Sequence, residues 1–167
     1  NLFNYGEGNR VDFDALGGIV GIFGKNFSGK SSIIDSLLWT VFNSTSKKNR
    51  KTLDTINQNC DYGRGLGEIQ IGNKMMIIER RGDKYIKKNK GEESVEAKTT
   101  LNFEAKDIVT GEITSLNGET RNQTDENIRK YFGTLEDFLL TSMSSQLESL
   151  LFIGEGSTKR KEILAKF

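Results

Sequence analysis

Histidine is absent from the 167 residues, and cysteine occurs once, at Cys60. Without histidine the chain lacks the most used general base and the commonest metal ligand, so a base drawn from these residues must be a carboxylate. A lone cysteine forms neither an internal disulfide nor a cysteine-based zinc site, which fits a reducing compartment. No apolar run approaches the roughly 18 residues of a membrane span, so a membrane is not an expected partner. An excess of one charge is missing too: 24 Lys and Arg stand against 23 Asp and Glu, a net +1, and no whole-surface basic field advertises nucleic acid. Two local clusters remain, Lys47, Lys48, Arg50 and Lys51, and Lys84, Lys87, Lys88 and Lys90. Both read as solvated loop or strand edge, and they are where nucleic-acid phosphates would be met if this chain meets any.

What is present is one domain's length with 35% hydrophobic residues, enough for a modest core. The chain opens at Asn1 without Met and stops at Phe167 inside a helical pattern, so it is expected to be a piece of something longer. Val11 and Phe13 alternate with polar neighbours, and after Gly17-Gly18 comes the apolar run 19–23. These predict two strands, the second buried. Ile33, Ile34, Leu37, Leu38, Val41 and Phe42 then recur at helical spacing. Residues 43–67 are polar, with glycines at 63, 65 and 67, and read as a long flexible connection. From Glu68 to Leu116 the period changes to two: Ile69 and Ile71 alternate, Gly72-Asn73 is a hairpin signal, and 75–78 is apolar. Arg81-Gly82-Asp83 reads as a turn into Tyr85 and Ile86; Leu101, Phe103 and Ala105 alternate; Thr110-Gly111 offers a further turn. A small antiparallel sheet is expected. Helices return from Asn122, with Ile128 and Phe132 ahead of Gly133, a capping box at Thr134 and Asp137, and a last helix from about Ser157 running past Phe167.

Residues 24–31, Gly-Lys-Asn-Phe-Ser-Gly-Lys-Ser, fit G-x-x-x-x-G-K-[ST], between a predicted strand and a predicted helix. Small residues let successive backbone N–H groups curl round an anion, and the helix dipole adds positive charge at the same point. The motif predicts a phosphate loop over residues 24–32 for ATP and Mg²⁺. Asn26, Phe27, Ser28, Gly29, Lys30, Ser31 and Ser32 are the expected nucleotide-binding residues: Asn26 and Gly29 shape the loop, Lys30 reaches the β- and γ-phosphates as the charged catalytic group, Ser31 offers its hydroxyl to Mg²⁺, and Ser32 bonds the α-phosphate. Two lookalikes are set aside. Residues 75–79 imitate a Walker B strand ending in Glu79, but follow a hairpin turn and read as its second strand. Residues 63–67 have no strand before them and no helix after. An Asn-Lys-x-Asp guanine motif, which a GTPase would carry, is absent.

Residues 4–7, 11–13, 18–24 and 28–35 together resemble the start of the ABC-type ATPase heads of SMC-like repair proteins. The closest likeness is to the SbcC-type subunits of double-strand-break nuclease complexes, phage recombination ATPases included. The resemblance implies an α/β P-loop NTPase fold. This chain would be the N-terminal lobe of the head: phosphate loop 24–32, antiparallel β-subdomain about 68–116, helical and Q-loop region about 122–153, and the start of a coiled-coil helix about 157–167. Residues 138–146 match the Q-loop, with Gln146 as its glutamine, and the family assigns that glutamine to the Mg²⁺ shell and to catalysis. The implied activity is ATP hydrolysis that drives head closure and DNA processing in recombination and repair. The implied partners are the C-terminal half of the same head, a second copy, an SbcD-like or Mre-type nuclease, and DNA, in cytoplasm or, in a eukaryote, nucleus. The signature motif, an Asp-Glu Walker B and the hook are not found in these residues, so this stretch alone is expected to be inactive. An SMC-type chromosome-structuring ATPase without a nuclease is the alternative.

Overall fold

The computed structural model describes residues 1–46, 50–89, 92–143 and 156–165, the side chains of Leu140, Lys159 and Ile163 excepted. Among them the chain is mixed α/β around one four-stranded antiparallel sheet of order β1-β2-β3-β4. The strands are β1 (Tyr62–Ile71), β2 (Lys74–Asn89), β3 (Glu92–Asp107) and β4 (Ile113–Ser115). Gly72-Asn73 joins β1 to β2, with Ile71 opposite Lys74 and Gly72 at φ 58°, as the two-residue hairpin signal predicts. A turn at 108–110, followed by Gly111 at φ 76°, separates β3 from β4. There the Asp107 carboxylate accepts the amides of Val109 and Thr110 at 2.9 and 2.8 Å.

Alternation decides which side of the sheet is core. Met76, Ile78 and Arg80 of β2, with Phe103 and Ala105 of β3, face inward and are buried, while Glu79 and Arg81 face outward. Helix α1 (Lys30–Phe42) lies on the inner face, where Val41 joins Met76, Ile78, Phe103, Ala105 and Ile128 in the main core. Burying a side chain such as Phe103 completely contributes about 1.5–3 kcal/mol. Ile128 comes from α3 (Arg121–Phe132), whose Tyr131 meets Phe103 edge-on at 5.7 Å. Gly133 caps α3, and the Thr134–Asp137 box opens α4 (Leu135–Thr141), each side chain accepting from the other's backbone N–H. The last described helix, α5, is Ser157–Leu164.

Three expectations fail. Residues 63–67 are strand, not flexible connection, so the sheet starts at Tyr62 rather than near Glu68. Gly63 and Gly65 are buried on the inner face, where other segments pack directly: a Cβ on Gly65 would stand 2.0 Å from Thr40 Oγ1 of α1, and one on Gly63 2.8 Å from Leu2 Cδ2. Arg81-Gly82-Asp83 is likewise no turn. Strand β2 runs unbroken through it, and Gly82 makes room for Thr52 of the short helix α2 (Thr52–Thr55), whose Cγ2 would be 2.8 Å from a Cβ there. Finally, residues 11–13 and 19–23 form no strand, and the second segment is not buried: Ile19 and Phe23 are 104% and 93% exposed. A strand needs a neighbour for its backbone N–H and C=O groups, and none of the described residues pairs with these two.

Candidate functional site

Helix α1 begins at Lys30, immediately after the glycine-rich loop. Gly29 takes the N-cap position at φ 89°, a left-handed conformation open to glycine at little steric cost. No acidic side chain sits in the first turn, so the partial positive charge of the helix N-terminus is not cancelled locally. Asn26, Phe27, Ser28 and Ser31 are exposed around that end, Ser32 and Lys30 are half-buried, and Gly29 is buried. The Lys30 ammonium folds back over the loop and donates to the carbonyls of Gly24 and Lys25 at 2.9 and 2.6 Å. Lys25 O also accepts the Ser28 amide at 3.3 Å. The motif residues 24–32 are therefore brought together as a curled loop, 24–29, and the first turn of α1, with Lys30 reaching back across the loop.

The donor set suits a nucleotide phosphate: one ammonium, serine hydroxyls, and amides at an uncancelled helix end. For Mg²⁺ the loop offers one hydroxyl, Ser31, and no cluster of three or more His, Cys, Asp or Glu that could hold a metal exists among the described residues. That fits a magnesium ion carried mainly by phosphate oxygens and water, which the smaller cation favours. Gln146, the second expected Mg²⁺ and catalytic residue, lies outside the described residues. Glu79, the Walker B lookalike, points to the outer face and bonds Arg64, away from α1.

Sequence reasoning gave no role to two residues that touch this loop. Asn4 Nδ2 donates to Phe27 O at 3.1 Å, and Tyr5 Oη donates to Gly29 O at 2.9 Å. They follow Leu2 and Phe3, which are buried against Trp39 of α1. The resemblance takes in residues 4–7, but it assigns Asn4 and Tyr5 no contact with the loop some twenty residues on.

At the other end of α1, Arg80 is fully buried and donates to the carbonyls of Thr40 and Val41 at 3.0 and 3.3 Å and to Asp125 at 2.6 Å. Burial pulls its guanidinium below the usual arginine range, and the Asp125 bond acts against that shift. The described residues of the second basic cluster are paired rather than free. Lys87 meets Glu96, Lys88 meets Glu93, and Lys84 caps the carbonyls of Asn57 and Gln58. Glu96 is held below the usual carboxylate range by Lys87 first and Tyr85 second. In the first cluster, Arg50 lies over the Phe3 ring at 5.4 Å, while Lys47 and Lys48 lie outside the described residues, as does Lys90. No described helix is long and apolar enough to cross a membrane.

The model of the family described as AAA domain matches residues 1–167. The chain is also 32% identical over 171 residues to "Uncharacterized protein R555" of Acanthamoeba polyphaga mimivirus, an alignment that takes in 98% of this chain and 12% of the relative.

Proposed function

The chain belongs to the AAA domain family, and from that premise we propose that it binds MgATP at residues 24–32 as the N-terminal lobe of an SbcC-like ATPase head. The observation that carries the reading is the Lys30 ammonium drawn across the Gly24 and Lys25 carbonyls at the start of α1. In this reading Lys30 compensates phosphate charge, Ser31 supplies the magnesium hydroxyl, Ser32 bonds the α-phosphate, and residues 26–29 line the cradle. Bound ATP supplies the phosphoanhydride whose hydrolysis drives the head. Gln146 is assigned to the magnesium shell from the Q-loop resemblance.

The lobe reading draws further support from the exposed apolar segment 19–23. A head completed by its C-terminal half would cover these side chains and give this segment the strand neighbours it lacks among the described residues. This chain spans 12% of the length of the viral relative, and the activity of a whole protein carrying it is part of the proposal. Head dimerisation, a nuclease partner and DNA processing in double-strand-break repair complete the reading. Recovery of a nuclease on affinity purification separates it from an SMC-type role.

The direct test is calorimetric titration of MgATP into wild type and Lys30→Ala. The alanine variant keeps its fold, because Lys30 contributes no core area, and loses binding. Equal affinity for the two proteins overturns the assignment.

A further inference from the structure

The N-terminal residues 1–5 act as a strap over the phosphate loop. Their anchor is firm: Leu2 and Phe3 are buried against Trp39, Leu2 bridges Ile56, and the Phe3 amide donates to Thr55 O at 2.8 Å. Asn57 adds two bonds, its amide to Asn1 O at 3.1 Å and its side chain to Tyr5 O at 3.3 Å. From this anchored base Asn4 and Tyr5 reach the carbonyls of Phe27 and Gly29.

Those two carbonyls lie where the loop's shape is decided. In a trans peptide the C=O and the N–H of the following residue point opposite ways. Fixing Gly29 C=O on Tyr5 therefore turns the Lys30 N–H, an amide of the first helical turn, to the side away from the strap. Gly29 O accepts the Ser32 amide as well, at 3.0 Å, so the hydroxyl reinforces a peptide plane already set by the helix. Phe27 has φ 63°, a left-handed conformation that is costly for an aromatic residue, and its side chain is 99% exposed. Its own packing cannot hold it there. A strained residue persists where its surroundings over-determine it, and the bond from Asn4 to its carbonyl is such a restraint.

We propose that Asn4 and Tyr5 are positioning residues that pre-orient the phosphate-binding backbone of residues 27–30, Tyr5 by holding the Gly29 peptide plane and Asn4 by holding Phe27 at positive φ. This inference rests on the phosphate-loop reading above. It predicts that affinity for phosphate depends on a strap that touches no phosphate.

The test titrates MgATP and inorganic tripolyphosphate into the full-length protein that carries this chain. Loss of one hydrogen bond corresponds to a roughly three- to tenfold change in an equilibrium constant. Tyr5→Phe and Asn4→Ala should each raise Kd by about that factor for both ligands, because the effect acts on phosphate and not on the base. Phe27→Gly supplies the readout that a merely structural role would not move: glycine needs no restraint at positive φ, so Asn4→Ala should cost little affinity in that background, while Tyr5→Phe keeps its cost. Lys30→Ala serves as the control. Unchanged Kd in Tyr5→Phe and Asn4→Ala with binding lost in Lys30→Ala overturns the strap and leaves the phosphate loop standing. Binding retained in Lys30→Ala overturns the phosphate loop itself. An Asn4→Ala penalty that persists in the Phe27→Gly background refutes the role given to Asn4.

Discussion

Removing Asp125 isolates a charge in the core. Arg80 has no exposed side-chain surface and Asp125 is 13% exposed, so solvent screens their contact poorly. Taking one partner from a buried ion pair costs about 3–5 kcal/mol, because the remaining charge stays desolvated without its counter-ion. Arg80 would keep its bonds to the carbonyls of Thr40 and Val41 in the last turn of α1, which places the expected cost of Asp125→Ala near the lower end, about 3 kcal/mol. At this chain length each kcal/mol lowers the melting temperature by about 2–4 °C, so the variant should melt about 6–12 °C below wild type. Arg80→Met in the Asp125→Ala background removes the isolated cation and fills similar space, and should recover part of that loss. Urea and thermal unfolding of the wild type, the single and the double variant measure the cycle. An Asp125→Ala protein as stable as wild type, or a double variant less stable than the single, would refute the account of Arg80 as a paired buried charge.

Gly65→Ala should destabilise by about 1–3 kcal/mol, since a methyl there overlaps Thr40 Oγ1 and forces α1 off the sheet; a melting temperature equal to wild type would contradict the packing. Gln146→Ala in the full-length protein should spare MgATP binding and lower DNA-stimulated turnover, and unchanged turnover would remove the Q-loop assignment. Two backbone amides, from Thr110 first and Val109 second, hold the Asp107 carboxyl below the usual aspartate range. A depressed folded-state pKa means that this turn's contribution is present above the ordinary aspartate pKa and is lost as pH falls through the lower value. Carboxyl carbon shifts followed by NMR through acid should show Asp107 titrating below a free aspartate, and an ordinary midpoint would count against the turn geometry.

The elements legible from the residues are those whose signal is local. The Gly72-Asn73 hairpin, the helix after the phosphate motif, Gly133 as a helix stop and the Thr134–Asp137 box each depend on the conformational preferences of a few adjacent residues. The curl of residues 24–29, closed by Lys30 on the carbonyls of Gly24 and Lys25, is local in the same way. Tertiary structure decided what depends on residues distant in sequence. The same glycine serves a turn or a close approach according to what packs against it: Gly65 and Gly82 pair within strands, and their missing side chains make room for Thr40 of α1 and Thr52 of α2. An apolar run becomes a strand only when a second strand completes its hydrogen bonds, and none of the described residues does so for 19–23. Arg80 is enclosed by Asp125, 45 residues on, and by the end of α1. Asn4 and Tyr5 reach the loop because Leu2 and Phe3 are buried beside Trp39, a contact set by the packing of the whole and by no pattern in the neighbouring residues.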